Sequence, residues 1–230
     1  TTGTRNTALG RIVLEDVTTE NDNTGIGYNS LANTTASQNT AVGSSTAPNN
    51  TTGTNNVAVG YVALNANTTG AQNVAVGSLA LDANTTANNN VAVGHNSLSA
   101  NTTGISNIAM GAGALMVNTT ASNNTGLGHE ALTANTTGIQ NTAIGSRSLK
   151  TATTASYNVA VGDQALENTT TGHSNTGIGT FACESNTTGT SLVGLGYESL
   201  GQNTEGNDNV AVGYQALRAN TTGDSNTAIG

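Results

Sequence analysis

A five-residue element, Asn-(Thr/Val/Ile)-(Ala/Gly)-aliphatic-Gly, returns along the chain with a fixed step. It first closes at Gly10 and last at Gly230, and every interval is 17 residues except one of 16, between Gly27 and Gly43. The short interval falls where Leu31-Ala32-Asn33 stands for the fuller Leu64-Asn65-Ala66-Asn67. Helix-pair repeats need roughly 34 residues or more, so a period this short excludes them. One unit reads NVAVGYVALNANTTGAQ over residues 56–72, rich in Asn, Thr, Gly and short β-branched runs. That opposes helix and suits short strands bounded by turns. The expectation is an all-β, parallel β-solenoid of about thirteen 17-residue coils, each pairing with the coils above and below it. No linker or composition shift interrupts the series, which predicts a single β-solenoid repeat domain over residues 1–230.

Composition supports a thin structure. Aromatic residues are 3% of the chain, Trp is absent and charged residues are 8%, so the large side chains that fill a thick core are missing. The net charge is −8, and Arg5, Arg11, Arg147, Lys150 and Arg218 are scattered. Phosphate-backbone binding needs clustered cations, which argues against nucleic acid and against an anionic membrane surface. No apolar run approaches the roughly 18 residues of a membrane-spanning helix. A lone cysteine, Cys183, forms no internal disulfide.

Numbering each unit from its Asn as position 0 gives every column an expected task. Position 3 is always aliphatic and position 1 is Thr, Val or Ile; strand side chains alternate, so the two share a face. That face is expected to feed an aliphatic core. Position 2, only Ala or Gly, would then form an outward face packed against another chain, with Ala58, Ala75, Ala92 and Ala143 as candidate oligomer-face residues. Position 8, usually Leu as in Leu64 and Leu81, reads as the core plug of a second strand, and Cys183 takes that slot in its coil. Gly60, Gly77, Gly94, Gly145 and Gly213 at position 4 are expected turn glycines, needed for a positive φ or a close chain approach. Asn56, Asn73, Asn90, Asn141 and Asn209 are expected to stack as an Asn ladder, which Leu192 interrupts.

Little in the sequence suggests chemistry. His95 and His129 share position 5 but lie two coils apart, too far for one metal ion with bonds of about 2.1 Å. The acidic group Glu15, Asp16, Glu20 and Asp22 reads as solvated charge rather than a calcium site. No phosphate loop, nucleophile–base arrangement or paired carboxylates stand out, so neither catalysis nor a cofactor or metal is expected. Tyr28, Tyr61, Tyr197 and Tyr214 all stand at position 5 and are candidate surface contacts. The Asn-Thr-Thr triplets match glycosylation acceptors, but their recurrence at one repeat position points to a structural origin.

The element NTAIG at 141–145 and NVAVG at 209–213 resembles the head repeat of trimeric autotransporter adhesins. The longer stretch NVAVGYQALRANTTGDSNTAIG at 209–230 is similar to repeats of phage tail fibres and large bacterial surface proteins. The resemblance covers nearly the whole chain, although the unit is longer than the adhesin repeat. It implies a left-handed parallel β-roll, three chains around one axis, and a role in forming or projecting an attachment surface.

The expected function is therefore a non-enzymatic module of a surface-exposed fibre, at the cell or virion surface, with itself as first partner and a cell-surface receptor or glycan as second. Two alternatives stand beside it: a self-assembling extracellular filament or surface-layer subunit stacking head to tail, and an ice-binding solenoid suggested by the Thr-Thr columns. Because the chain begins and stops mid-repeat, it is expected to be a segment of a longer fibre protein.

Overall fold

The computed structural model describes residues 2–230. These residues form two compact units, 2–112 and 113–230. The first unit carries β1 (Thr7–Leu9), β2 (Thr24–Ile26), β3 (Thr40–Val42), β4 (Val57–Val59), β5 (Val74–Val76), β6 (Val91–Val93) and β7 (Ile108–Met110). The second carries β8 (Thr125–Leu127), β9 (Thr142–Ile144), β10 (Val159–Val161), β11 (Thr176–Ile178), β12 (Val193–Leu195), β13 (Val210–Val212) and β14 (Thr227–Ile229). Within each unit the strands pair in chain order, all parallel, with equal repeat positions opposite one another, as Val57 faces Val74 and Val159 faces Thr176. Each unit is a parallel β-solenoid, one strand per coil.

The strand is only three residues long, yet the ladder between coils runs almost all the way round. Leu64 N–H donates to Ala80 C=O at 3.0 Å, Ala66 N–H to Asp82 C=O at 2.9 Å and Thr68 N–H to Thr85 C=O at 2.9 Å, all between neighbouring coils. Positions 7 and 8 are thus not the expected second strand. They belong to consecutive tight turns, closed in one coil by Lys150 N–H on Arg147 C=O and Ala152 N–H on Leu149 C=O. Positions 6, 8 and 16 adopt left-handed backbone, as at Val62 (φ 61°), Leu64 (φ 53°) and Gln72 (φ 60°). Position 4 goes further, to φ 132° at Gly60 and 129° at Gly145. A Cβ there would lie 2.5 Å from the Gly77 carbonyl oxygen, or 2.4 Å from that of Gly162. Only glycine meets both demands, the dihedral and the approach.

The core differs from expectation. The central strand residue points inward: Ala58, Ala75, Ala92 and Ala143 are fully buried within their own coils. The proposal of these alanines as an oligomer face is therefore corrected, and so is the aliphatic core assigned to positions 1 and 3, which face out. The physical reason is the narrowness of the coil. At position 2, a Cβ added to Gly126 would meet Ala131 O at 3.2 Å and Leu115 Cγ at 3.4 Å. Valine does not fit in such a space; alanine does. The interior is filled by that alanine, the position-8 leucines and two columns of asparagine, with Leu64, Leu81, Asn73 and Asn67 all at zero exposure. The 16-residue coil keeps this interior by shortening the Thr stretch: Thr34 takes the buried slot that Asn50 fills one coil on, and Asn50 Nδ2 donates to Thr34 Oγ1 at 3.4 Å.

Candidate functional site

Within each unit the asparagines of position 0 form a relay, broken in the second unit at Leu192. Asn73 N–H donates to Asn56 Oδ1 and Asn90 N–H to Asn73 Oδ1, both at 3.0 Å. Each amide also turns its Nδ2 to a position-14 carbonyl, as Asn56 to Gly70 at 2.8 Å, Asn90 to Gly104 at 2.9 Å and Asn141 to Ala155 at 2.7 Å. Asn209 donates to Gly223 and accepts from Asn226 N–H. A second asparagine column, at position 11, went unread in the sequence. Asn67 Nδ2 donates to Asn50 Oδ1 at 2.7 Å, Asn84 to Asn67 at 2.8 Å and Asn135 to Asn118 at 2.9 Å. Its signal was present in the Asn-Thr-Thr triplets, whose Asn is the ladder residue in all coils but those of Asn33 and Asn168. The first Thr of each pair is occupied as well: Thr68 Oγ1 donates to Thr85 C=O at 3.1 Å.

With most asparagine amides bonded inside (Asn135 Oδ1 is a buried exception, without a partner among the described residues), the apolar surplus stands outside. Every strand turns its first and third side chains to the surface, so each unit carries two parallel files of Thr, Val, Ile and Leu, joined in the first by Met110. Val57, Ile108 and Met110 in the first unit, and Leu127, Ile144 and Ile178 in the second, are each 37–41% exposed. No charged residue occurs in these files. A regular apolar sheet face of this kind is rare on soluble monomers and marks an interaction surface.

The position-5 tyrosines lie on the next side of the coil, where Gly at position 4 turns the chain. Tyr61 and Tyr214 are largely exposed, Tyr28 and Tyr197 about half. Arg11 sits over the Tyr28 ring, 5.7 Å from its centroid. Tyr197 and Tyr214 stack with centroids 5.4 Å apart and planes 10° from parallel, and Phe181 meets Tyr197 edge-on at 5.9 Å. The structure leaves Tyr28 and Tyr61 without a ring neighbour of this kind among the described residues.

Arg5 pairs with Asp22 at the same position one coil on, and the other ion pairs among the described residues follow a rule that only the folded chain displays: position 6 pairs with position 9 of the next coil, 20 residues on. Lys150 Nζ lies 2.8 Å from Glu130 Oε2, Arg218 Nε lies 2.6 Å from Glu198 Oε2, and Arg147 pairs with Glu167. The Lys150 partner holds the Glu130 carboxyl below the usual carboxylate range, while hydrogen bonds from Gln215 and then the Arg218 charge do so for Glu198. Glu184 breaks the rule. Its diagonal partner is Gln164, and burial, then the charges of Glu167 and Glu198, push its carboxyl up. Glu20 is held at about 2 by the backbone N–H groups of Thr18 and Thr19, at 2.7 and 2.9 Å.

The remaining candidates are dispersed. His95, His129 and His173 are each exposed in separate coils, and no group of three or more His, Cys, Asp or Glu among the described residues could hold a metal ion. Cys183 is fully buried, and desolvation pushes its thiol up to about 12, out of nucleophilic range. Among the described residues no helix is long and apolar enough to cross a membrane. Comparisons with protein-family models, curated proteins and solved structures find no match to this chain.

Proposed function

We propose that this chain is a non-enzymatic fibre module that self-associates through its exposed aliphatic files and forms or projects a receptor-binding surface. A phage tail fibre or bacterial trimeric adhesin is the setting, at the virion or cell surface, with a left-handed coil and three copies around one axis. The observation that carries the reading is the uncharged face of Thr and aliphatic side chains repeated on every strand, while the interior is filled mainly by Ala, Leu and Asn. Burying half-exposed Val and Ile is worth about 25 cal/mol per Å² of apolar surface. The gain recurs at every coil of each unit. A parallel three-fold arrangement puts the same file of each copy on the axis, matching like residues to like. The position-5 tyrosines then stand beside the buried face rather than in it, free for a receptor.

Light scattering behind size exclusion tests this directly. The expected mass is that of three chains, and Ile144→Lys with Ile178→Lys should lower it towards one chain without loss of β-structure by circular dichroism. A wild-type protein that is a stable monomer overturns the association.

A further inference from the structure

We infer that the groove beside Tyr157 is a binding site for a neutral saccharide unit. The groove has a volume of about 430 Å³ and is lined by Thr154, Ser156, Tyr157, Thr171, His173 and Ser174, a size within the range of small-ligand sites. Tyr157 is the anomaly that marks it. It occupies position 16, where the backbone is left-handed (φ 61°) and the other coils place Asn, Gln, Ser, Asp or Arg. Asn and Asp tolerate that backbone through local hydrogen bonding; an aromatic side chain gains nothing from it. Core packing does not explain the residue either, because it is 54% exposed. The next coil carries the small Ser174 at the same position, which leaves room beside the larger tyrosine.

The lining fits one ligand chemistry. A tyrosine ring offers an apolar face for the C–H side of a pyranose, and Tyr O–H keeps a polar handle. Around it stand four hydroxyls and one imidazole, groups that both donate and accept as sugar hydroxyls require. Part of this shell is already ordered: Ser156 Oγ accepts from Ile139 N–H at 3.1 Å and donates to Thr154 C=O at 3.3 Å, and His173 Nδ1 lies 3.3 Å from Ser174 Oγ. No Lys, Arg, Asp or Glu lines the groove, so a phosphate or a cationic ligand finds no counter-charge. Tyr197 and Tyr214 are the weaker aromatic candidate, since their faces are turned to each other. The inference rests on the attachment reading, whose receptor it assigns to the class of glycans.

The test is saturation-transfer NMR with methyl β-D-glucopyranoside, methyl β-D-galactopyranoside and N-acetylglucosamine as separate probes. At least one should show saturable transfer with a millimolar dissociation constant. Tyr157→Asn, which installs the side chain of Asn55 and Asn123 at the same position, should weaken it about tenfold, a loss of about 1.4 kcal/mol. Gln72→Ser, a change at the same repeat position outside the groove, should leave it unchanged. Absence of transfer with all three probes, or equal transfer in Tyr157→Asn, overturns the inference. A protein that assembles in light scattering yet binds none of the probes overturns the saccharide site alone.

Discussion

At the scale of single residues, this fold asks side chains to accept backbone they ordinarily avoid, and it holds them there by hydrogen bonds between coils. Val62 is the plainest case: a β-branched residue at φ 61°, where such residues are genuine outliers. Asn29 and Asn96 occupy the same position in other coils. Val62→Asn should therefore stabilise the protein, by about 1 kcal/mol on the scale of such local strain, read as a higher denaturation midpoint. The asparagine relay works in the opposite sense. Asn141→Ala removes the acceptor of Asn158 N–H and the donor to Ala155 C=O, both in buried surroundings. Orphaning two buried backbone groups at about 1–3 kcal/mol each predicts a loss of about 3 kcal/mol, measured by denaturant unfolding. Leu192 shows how the relay is interrupted. Its own N–H still donates to Asn175 Oδ1 at 2.9 Å, but its side chain offers no oxygen to Asn209.

At the scale of the coil, a three-residue strand decides inside from outside. The alternation Val-Ala-Val is legible in the sequence, but which parity points inward is not, because a one-residue rotation exchanges the two faces. The answer comes from the width left by Leu115, Ala131 and their equivalents across the coil, which is a property of the closed turn and of no single segment. Ala75→Val should thus cost about 1–3 kcal/mol as overpacking, although valine is the commoner strand former. The diagonal charge rule was hidden for the same reason: residues 20 apart become neighbours only once 17 are wound into a turn. It yields a further prediction. Glu184 has a raised carboxyl, so folding takes up its proton more readily than the unfolded chain does, and its contribution to stability grows as pH falls through the folded-state value. Gln164→Arg supplies the absent diagonal cation. The Glu184 titration, followed by carboxyl NMR, should move down, and neutral-pH stability should rise by about 0.2–1 kcal/mol, the range of exposed pairs. An unchanged titration would show that the diagonal does not form there.

At the scale of the whole chain, the period, the parallel coils and the position-4 glycines were readable because each repeats a local demand at every turn. The second asparagine column was hidden in plain view, since its residues spell a different, familiar signal. Asn50, Asn67, Asn84, Asn101, Asn118, Asn135 and Asn186 each begin an Asn-Thr-Thr sequon, and each is fully buried. Asn67 Nδ2, the atom a glycan would join, donates to Asn50 Oδ1 and Gly70 C=O. Asn33 and Asn168 differ: in their coils the Asn stands one residue earlier and is exposed, while Thr34 and Thr169 fill the buried slot. A glycan is bulky and surface-seeking, so attachment before folding at a ladder asparagine is incompatible with closing the coil. Passage through a glycosylating secretory pathway should therefore yield a heavily modified chain without β-structure by circular dichroism. Blocking glycan transfer with tunicamycin in the same cells should restore the fold, and the purified folded protein offered to the transferase should accept glycans at Asn33 and Asn168 but not at Asn67 or Asn84, read by mass spectrometry of its peptides. A folded, secreted product carrying glycans on Asn67 or Asn84 would mean that the position-11 column is dispensable, and that the coils are held by the strand face and the position-0 relay alone.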